Sequence, residues 1–350
     1  MGRRVEYDLL RVTACFAVVL LHISNSYWGV VDVNGSDFAV MTVFNSFTRF
    51  GVPVFFMLSG LFLLDPGKEL SARKWAGKIG KLLLSFFLWS VFYAFQSVLF
   101  NGILHGWNSV TKDMWSNAFT RLVMGHGHMW FLLDLLGFYL LVPVLRKICE
   151  DTRVLGYFLL LWVFFRFAAG NFLSDVWEGR VMAFITSMHL YVFTGYIGYF
   201  MGGFFLYKTE IPRRWRYLIY AGGTGGLLFT ILKTLADSRR TLEHDDHWCS
   251  PSSLNILLFS IAVFVFFKQI RVPEHANRSG LAAAMAGSTF FVYMVHPFFI
   301  EKLNLLGIKV ISFPPVIAIP VMTVGIFAAA MVLGWLAGKI PVVGKWITFQ

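Results

Sequence analysis

Ten stretches of this chain are apolar over the length a helix needs to cross a lipid hydrocarbon core, about 20 residues. They fall at roughly 9–31, 43–64, 82–104, 129–148, 154–170, 184–206, 215–235, 254–268, 282–301 and 314–338. The eighth is short and the fifth carries Arg166. Apolar residues make up 57% of the chain and charged residues 14%, where soluble domains have about 45–50% and 25%. The 38 Phe and 12 Trp residues suit helices that face acyl chains and carry aromatic belts. The expected fold is an all-α integral membrane protein of about ten transmembrane helices, one domain over residues 1–350.

The net charge of +11 does not point to nucleic acid, because the Lys and Arg residues sit in short loops between the apolar runs. They read as topology signals instead. With the N-terminus inside, that side holds nineteen of them, including Lys74, Lys78, Lys81, Arg146, Arg213 and Lys268, against eight opposite, such as Arg121, Lys302 and Lys309. Basic residues accumulate on the cytoplasmic side, so both termini are expected there. The longest loops, about 105–128 and 237–253, then lie outside. Arg3 and Arg4 before an apolar run resemble a signal peptide, but Arg11 and His22 within that run and the lack of a small-residue cleavage site predict a retained first span. Cys15, Cys149 and Cys249 imply no disulfide framework.

A charged side chain within a span costs at least about 2.5 kcal/mol, so each asks for a reason. Arg11, Arg49 and Arg166 qualify, and His22 and His296 also lie in apolar runs. Arg11 and His22 are eleven residues apart, nearly three full helical turns, which places them on one face with a rise of roughly 16 Å between them. That spacing predicts a cation at the inner boundary and a titratable base near mid-depth. Snorkelling of Arg11 to headgroups and helix-to-helix hydrogen bonding by His22 are the plainer alternatives. In the second run Pro53 frees backbone groups one turn from Arg49, and such breaks are tolerated where they line a cavity or are buried in protein.

Arg11-x10-His22 followed by the run Arg49 to Gly60 resembles the signature of the acyltransferase 3 family of membrane-bound acyltransferases. His128-Met129-Trp130-Phe131-Leu132, with Tyr139 and Pro143, is similar to that family's central span, and Ser288 to His296 to its late span. The likeness covers about residues 5–335 and is nearest the stand-alone O-acetyltransferases, of the kind acting on enterobacterial common antigen; an appended extracellular domain is not expected. It implies transfer of an acyl group, acetyl foremost, from cytoplasmic acyl-CoA to a hydroxyl of a cell-surface glycan or glycolipid, in the inner membrane of a bacterium. The family's histidine maps to His22 and its basic partner to Arg11. Where many members carry Arg-x-x-Arg, this chain has Lys78-Ile79-Gly80-Lys81, which meets phosphate as point charges without the bidentate fork.

The chemistry suits these residues. Acyl transfer to a hydroxyl needs a base near neutrality, and imidazole is the side chain that starts there. His22 is the expected base. Arg11, Lys74, Lys78 and Lys81 offer an inner mouth for the CoA phosphates, although the lysines equally satisfy the positive-inside rule. Arg49, Ser59 and Tyr293 are candidates for stabilising the oxyanion, and His128, Trp130, His296 and Glu301 for holding the acceptor. No metal is expected: Glu243 to Cys249 carries suggestive ligands, but not at an established zinc spacing. A secondary transporter with intramembrane Arg and His is the competing class, disfavoured by the lack of an inverted repeat. A relay passing acyl groups to a separate extracytoplasmic transferase is a further alternative, and association into a homo-oligomer is left open.

Overall fold

The computed structural model describes residues 4–167, 180–272, 280–341 and 344–349. It is 81% helical with no strand among those residues. The helices are α1 (Val5–Asn25), α2 (Ser36–Thr48), α3 (Gly51–Leu63), α4 (Ala72–His105), α5 (Lys112–Met124), α6 (Trp130–Glu150), α7 (Thr152–Val163), α8 (Arg180–Ser187), α9 (Ile197–Lys208), α10 (Arg213–Thr241), α11 (Leu254–Gln269), α12 (Leu281–Leu305) and α13 (Pro315–Gly338). Eight helical segments among the described residues are long and apolar enough to cross a membrane. The protein is an all-α integral membrane protein.

Two expected runs and one expected loop differ in detail. The fifth is the 12-residue α7, and its expected end at 168–170 lies outside the described residues. The sixth is not one rod: α8 and α9 are separated by a stretch in which His189 has φ +56°, a left-handed conformation that a right-handed helix cannot continue. The expected outer loop 105–128 is mostly α5, begun by the Thr111 side chain accepting from the Met114 amide. Pro53 acts as predicted. Lacking an N–H, it cannot bond back to the Arg49 carbonyl, so α2 ends at Thr48 and α3 restarts at Gly51.

α1 is the central rod, packed against α2, α3, α11, α12 and α13. Glu6 and Asp8 in its first turn suit the positive end of the helix dipole, and Cys15 Sγ donates to the Thr289 carbonyl of α12 at 3.4 Å. α3 and α9 approach backbone to backbone. A Cβ added at Gly60 would lie 1.6 Å from the Phe200 carbonyl oxygen, and one at Gly203 would lie 2.0 Å from that of Met57, the small-residue contact by which helices associate in lipid. Some basic residues counted as topology signals also close helix ends. Lys268 Nζ donates to the carbonyls of Leu206, Tyr207 and Thr209 at 2.6, 3.0 and 2.6 Å.

Candidate active site

α1 carries Arg11 and His22 on one face, as the spacing predicts, with His22 in its last turn. Arg11 lies over the Phe62 ring, 5.3 Å from guanidinium carbon to centroid. It lines a cleft of about 190 Å³ together with Ser59, Tyr139, Thr289, Tyr293 and Phe349. Lys81 Nζ sits 4.9 Å over Phe349, at the edge of that cleft, and Lys78 lies over Trp75 at 5.7 Å. Lys74 is exposed in the first turn of α4. Arg146, read from sequence only as a topology signal, donates to the carbonyls of Leu63 and Lys68 at 2.8 and 2.7 Å and so ties the loop after α3 to this same mouth.

Arg49, at the break between α2 and α3, is held by a chain of amides. Its Nε donates to Asn45 Oδ1 at 2.6 Å, and Asn45 Nδ2 donates to Asn25 Oδ1 at 2.9 Å. Asn25 is one turn beyond His22 on α1, and the Arg49 charge lies within electrostatic reach of the His22 ring. The other two oxyanion candidates have their single hydroxyl protons engaged. Ser59 Oγ donates to the Phe55 carbonyl at 2.8 Å, and Tyr293 Oη donates to the His128 carbonyl. Of the three, Arg49 donates among the described residues only through Nε, to Asn45, while its guanidinium carries further N–H groups.

Four histidines from three parts of the chain gather beside this point. The His22 and His296 ring centroids are 5.0 Å apart, those of His296 and His128 5.7 Å, and those of His128 and His126 5.0 Å. The last two rings are joined Nδ1 to Nδ1 at 2.8 Å, and His126 Nε2 is 3.0 Å from Glu301 Oε1. Gln96 Nε2 donates to the other carboxylate oxygen at 2.9 Å. Tyr93 stacks on His126 at 4.4 Å while its hydroxyl donates to the Met294 carbonyl at 2.6 Å, which fixes the loop before α6 against α12. His128 and His296 are buried. Glu301 and Gln96 also line a second, polar space of about 600 Å³ with Arg121, Asn101, Lys302 and Lys309. The histidine cluster thus touches a lining residue of each space, Tyr293 of the Arg11 cleft through the His128 carbonyl and Glu301 of this vestibule through His126.

Of the acceptor candidates, His128, His296 and Glu301 come together. Trp130 does not join them, because its indole packs on Tyr196 of the loop before α9, at 5.1 Å. Arg166 is also elsewhere, 5.2 Å over the Tyr196 ring and within reach of Asp134. The Glu243 to Cys249 loop is used in packing: His244 Nε2 meets the Val31 carbonyl at 2.8 Å, and its ring stands edge-on to Trp28 and Phe38. Sequence reasoning missed His126, Asn45 and Asn25. His126 had one signal, its place two residues before His128.

The family model described as an acyltransferase domain matches residues 4–336. No curated protein and no solved structure matches the chain.

Proposed function

Because the chain belongs to this family of membrane acyltransferases, its domain model spanning residues 4–336, we propose that it transfers an acetyl group from acetyl-CoA on the cytoplasmic face to a hydroxyl of a cell-surface glycan or glycolipid. His22 is the general base. The observation that supports this reading is that the histidine cluster contacts two unlike spaces, the Arg11 cleft through Tyr293 and the vestibule through Glu301. A thioester and an alcohol confined to opposite sides of a membrane need such a meeting point.

The donor side is read from charge. Arg11, Lys78, Lys81 and Arg146 surround the mouth of the first cleft, where they would hold the CoA phosphates while the acyl arm enters among Phe62, Tyr139 and Tyr293. When the acceptor oxygen attacks the thioester carbon, negative charge builds on the acyl oxygen. Arg49, within electrostatic reach of His22 and bonded among the described residues only through Nε, is the group to stabilise it. Both termini then face the cytoplasm, and the enzyme belongs in the inner membrane of a bacterium. The test is mass spectrometry of surface glycans from a strain lacking the gene and from one complemented with it, beside acetyl transfer by the purified protein from labelled acetyl-CoA. Unchanged glycans and no consumption of labelled donor would refute it.

A further inference from the structure

From His22 to the outer vestibule, imidazoles stand in series, and for neutral rings beside an ionised Glu301 the acceptors along the line assign each proton. An ionised carboxylate only accepts, so His126 Nε2, 3.0 Å from Glu301 Oε1, carries a proton. A neutral imidazole has one N–H, so His126 Nδ1 is a lone pair. Its 2.8 Å contact with His128 Nδ1 is then a hydrogen bond in which His128 donates. His128 Nε2 is left as a lone pair, buried and without a protein partner. His296 follows the same rule, since the Val292 carbonyl accepts from its Nδ1 at 3.1 Å. Its Nε2 is likewise unprotonated, buried and unpartnered.

An array of this polarity takes up a proton at the His128 end and delivers one at Glu301. The fixed charges agree, with the Arg49 cation near His22 at one end and the Glu301 carboxylate at the other. Exposure agrees as well. His296 and His128 are 0% and 6% exposed, too deep to touch an acceptor sugar, whereas the side chains of His126 and Glu301 reach 17% and 35%.

We propose that His296, His128, His126 and Glu301 form a proton exit path from His22 to the outer vestibule, so that each acyl transfer releases a proton on the acceptor side. The path rests on the acyl-transfer reading above. As the acceptor oxygen bonds to the acyl carbon, its O–H bond breaks and His22 takes the proton. The C–S bond breaks with its electron pair on sulfur, and the thiolate, a base that takes a proton at neutral pH as alkyl thiolates do, is protonated from water of the donor compartment. His22 passes its proton by way of His296 Nε2 to His128 Nε2. His128 then gives its Nδ1 proton to His126 Nδ1, and His126 gives its Nε2 proton to Glu301 and so to vestibule water. Each ring returns to its starting tautomer by losing one proton to vestibule water and regaining one on its other nitrogen, an exchange that moves no net charge. One proton is consumed on the donor side and one released on the acceptor side. In this scheme His126 and Glu301 are positioning and relay residues, not groups that touch substrate.

The test uses inverted membrane vesicles from cells making the full chain, with their own glycolipids as acceptor. Labelled acetyl-CoA is added outside and a pH-sensitive dye is trapped in the lumen. Wild type is expected to incorporate label and to acidify the lumen by about one proton per acetyl group, a signal a protonophore abolishes. Glu301→Gln, nearly isosteric and able to keep the Gln96 contact, should incorporate label about 10²-fold more slowly, the low end of acid-base contributions, with luminal release lost. Glu301→Asp should recover part of both, and His126→Phe, which keeps the stack on Tyr93, should behave as Glu301→Gln. The KM for acetyl-CoA should not move in any of them, which separates the relay from a merely structural role. Incorporation by wild type without luminal acidification, or wild-type release by Glu301→Gln, would overturn the path alone. A wild type that incorporates no label would overturn the acyl-transfer reading and the path with it.

Discussion

Replacing His22 by alanine should lower kcat by about 10²–10⁴, the range that general base catalysis contributes. At 1.36 kcal/mol per decade this is roughly 3–5 kcal/mol of transition-state stabilisation. The upper part of that range follows from the neighbours. The nearest other imidazole, His296, has its ring centroid 5.0 Å away but is wholly buried, so it cannot reach an acceptor hydroxyl in place of His22. The cost to folding is small. Ser26 Oγ donates to the His22 backbone carbonyl at 2.7 Å, a bond alanine keeps, and alanine is the better helix former. The assay is acetyl transfer from labelled acetyl-CoA, compared at matched expression and matched thermal unfolding in detergent. Turnover within a few-fold of wild type, with the fold intact, would make His22 a packing residue and leave the central site without its base.

The double variant Lys78→Ala with Lys81→Ala should raise the KM for acetyl-CoA more at low than at high salt, because exposed charges are screened beyond a Debye length of about 10 Å at 0.1 M; an unchanged KM would return these lysines to a purely topological role. Gly203→Val should lower the thermal midpoint sharply, since its Cβ meets the Met57 carbonyl oxygen at 2.0 Å and α3 must move away, a cost of about 1–3 kcal/mol or more by the usual scale of overpacking. Unfolding in detergent followed by circular dichroism measures it, and an unshifted midpoint would refute the close packing of α3 on α9. Cysteines introduced at Asn108 and Asp245 should label from outside intact cells, and one at Arg213 only after permeabilisation. The reverse pattern would invert the sidedness of donor and acceptor.

Much of the fold is legible in hydropathy because the bilayer sets element length so strictly. The helix break at Pro53 and the shared face of Arg11 and His22 follow from local rules of the backbone and of helical rise. The histidine cluster is different in kind. His22, His126, His128 and His296 come from α1, the turn before α6, and α12, and no periodicity within one helix shows that three segments converge. Asn45 and Asn25 were invisible for the same reason, each looking like ordinary polar glue. Trp130 shows the opposite limit: an aromatic at the head of a span has too many uses for its type alone to assign it to the acceptor. The sixth run looked continuous because hydropathy counts apolar residues and is blind to the left-handed backbone at His189.

The α1 helix keeps count as well as position. Arg11 and His22 ride on a rod with no break between them, so their relative direction depends on the number of residues and hardly at all on which residues those are. A single inserted residue would swing His22 by about 100° around the axis relative to Arg11, and two would carry it to the far side of the helix. Substitutions along this stretch change what the rod touches, whereas insertions and deletions change its phase, and with the phase they turn the base away from His296 while leaving the helix itself whole.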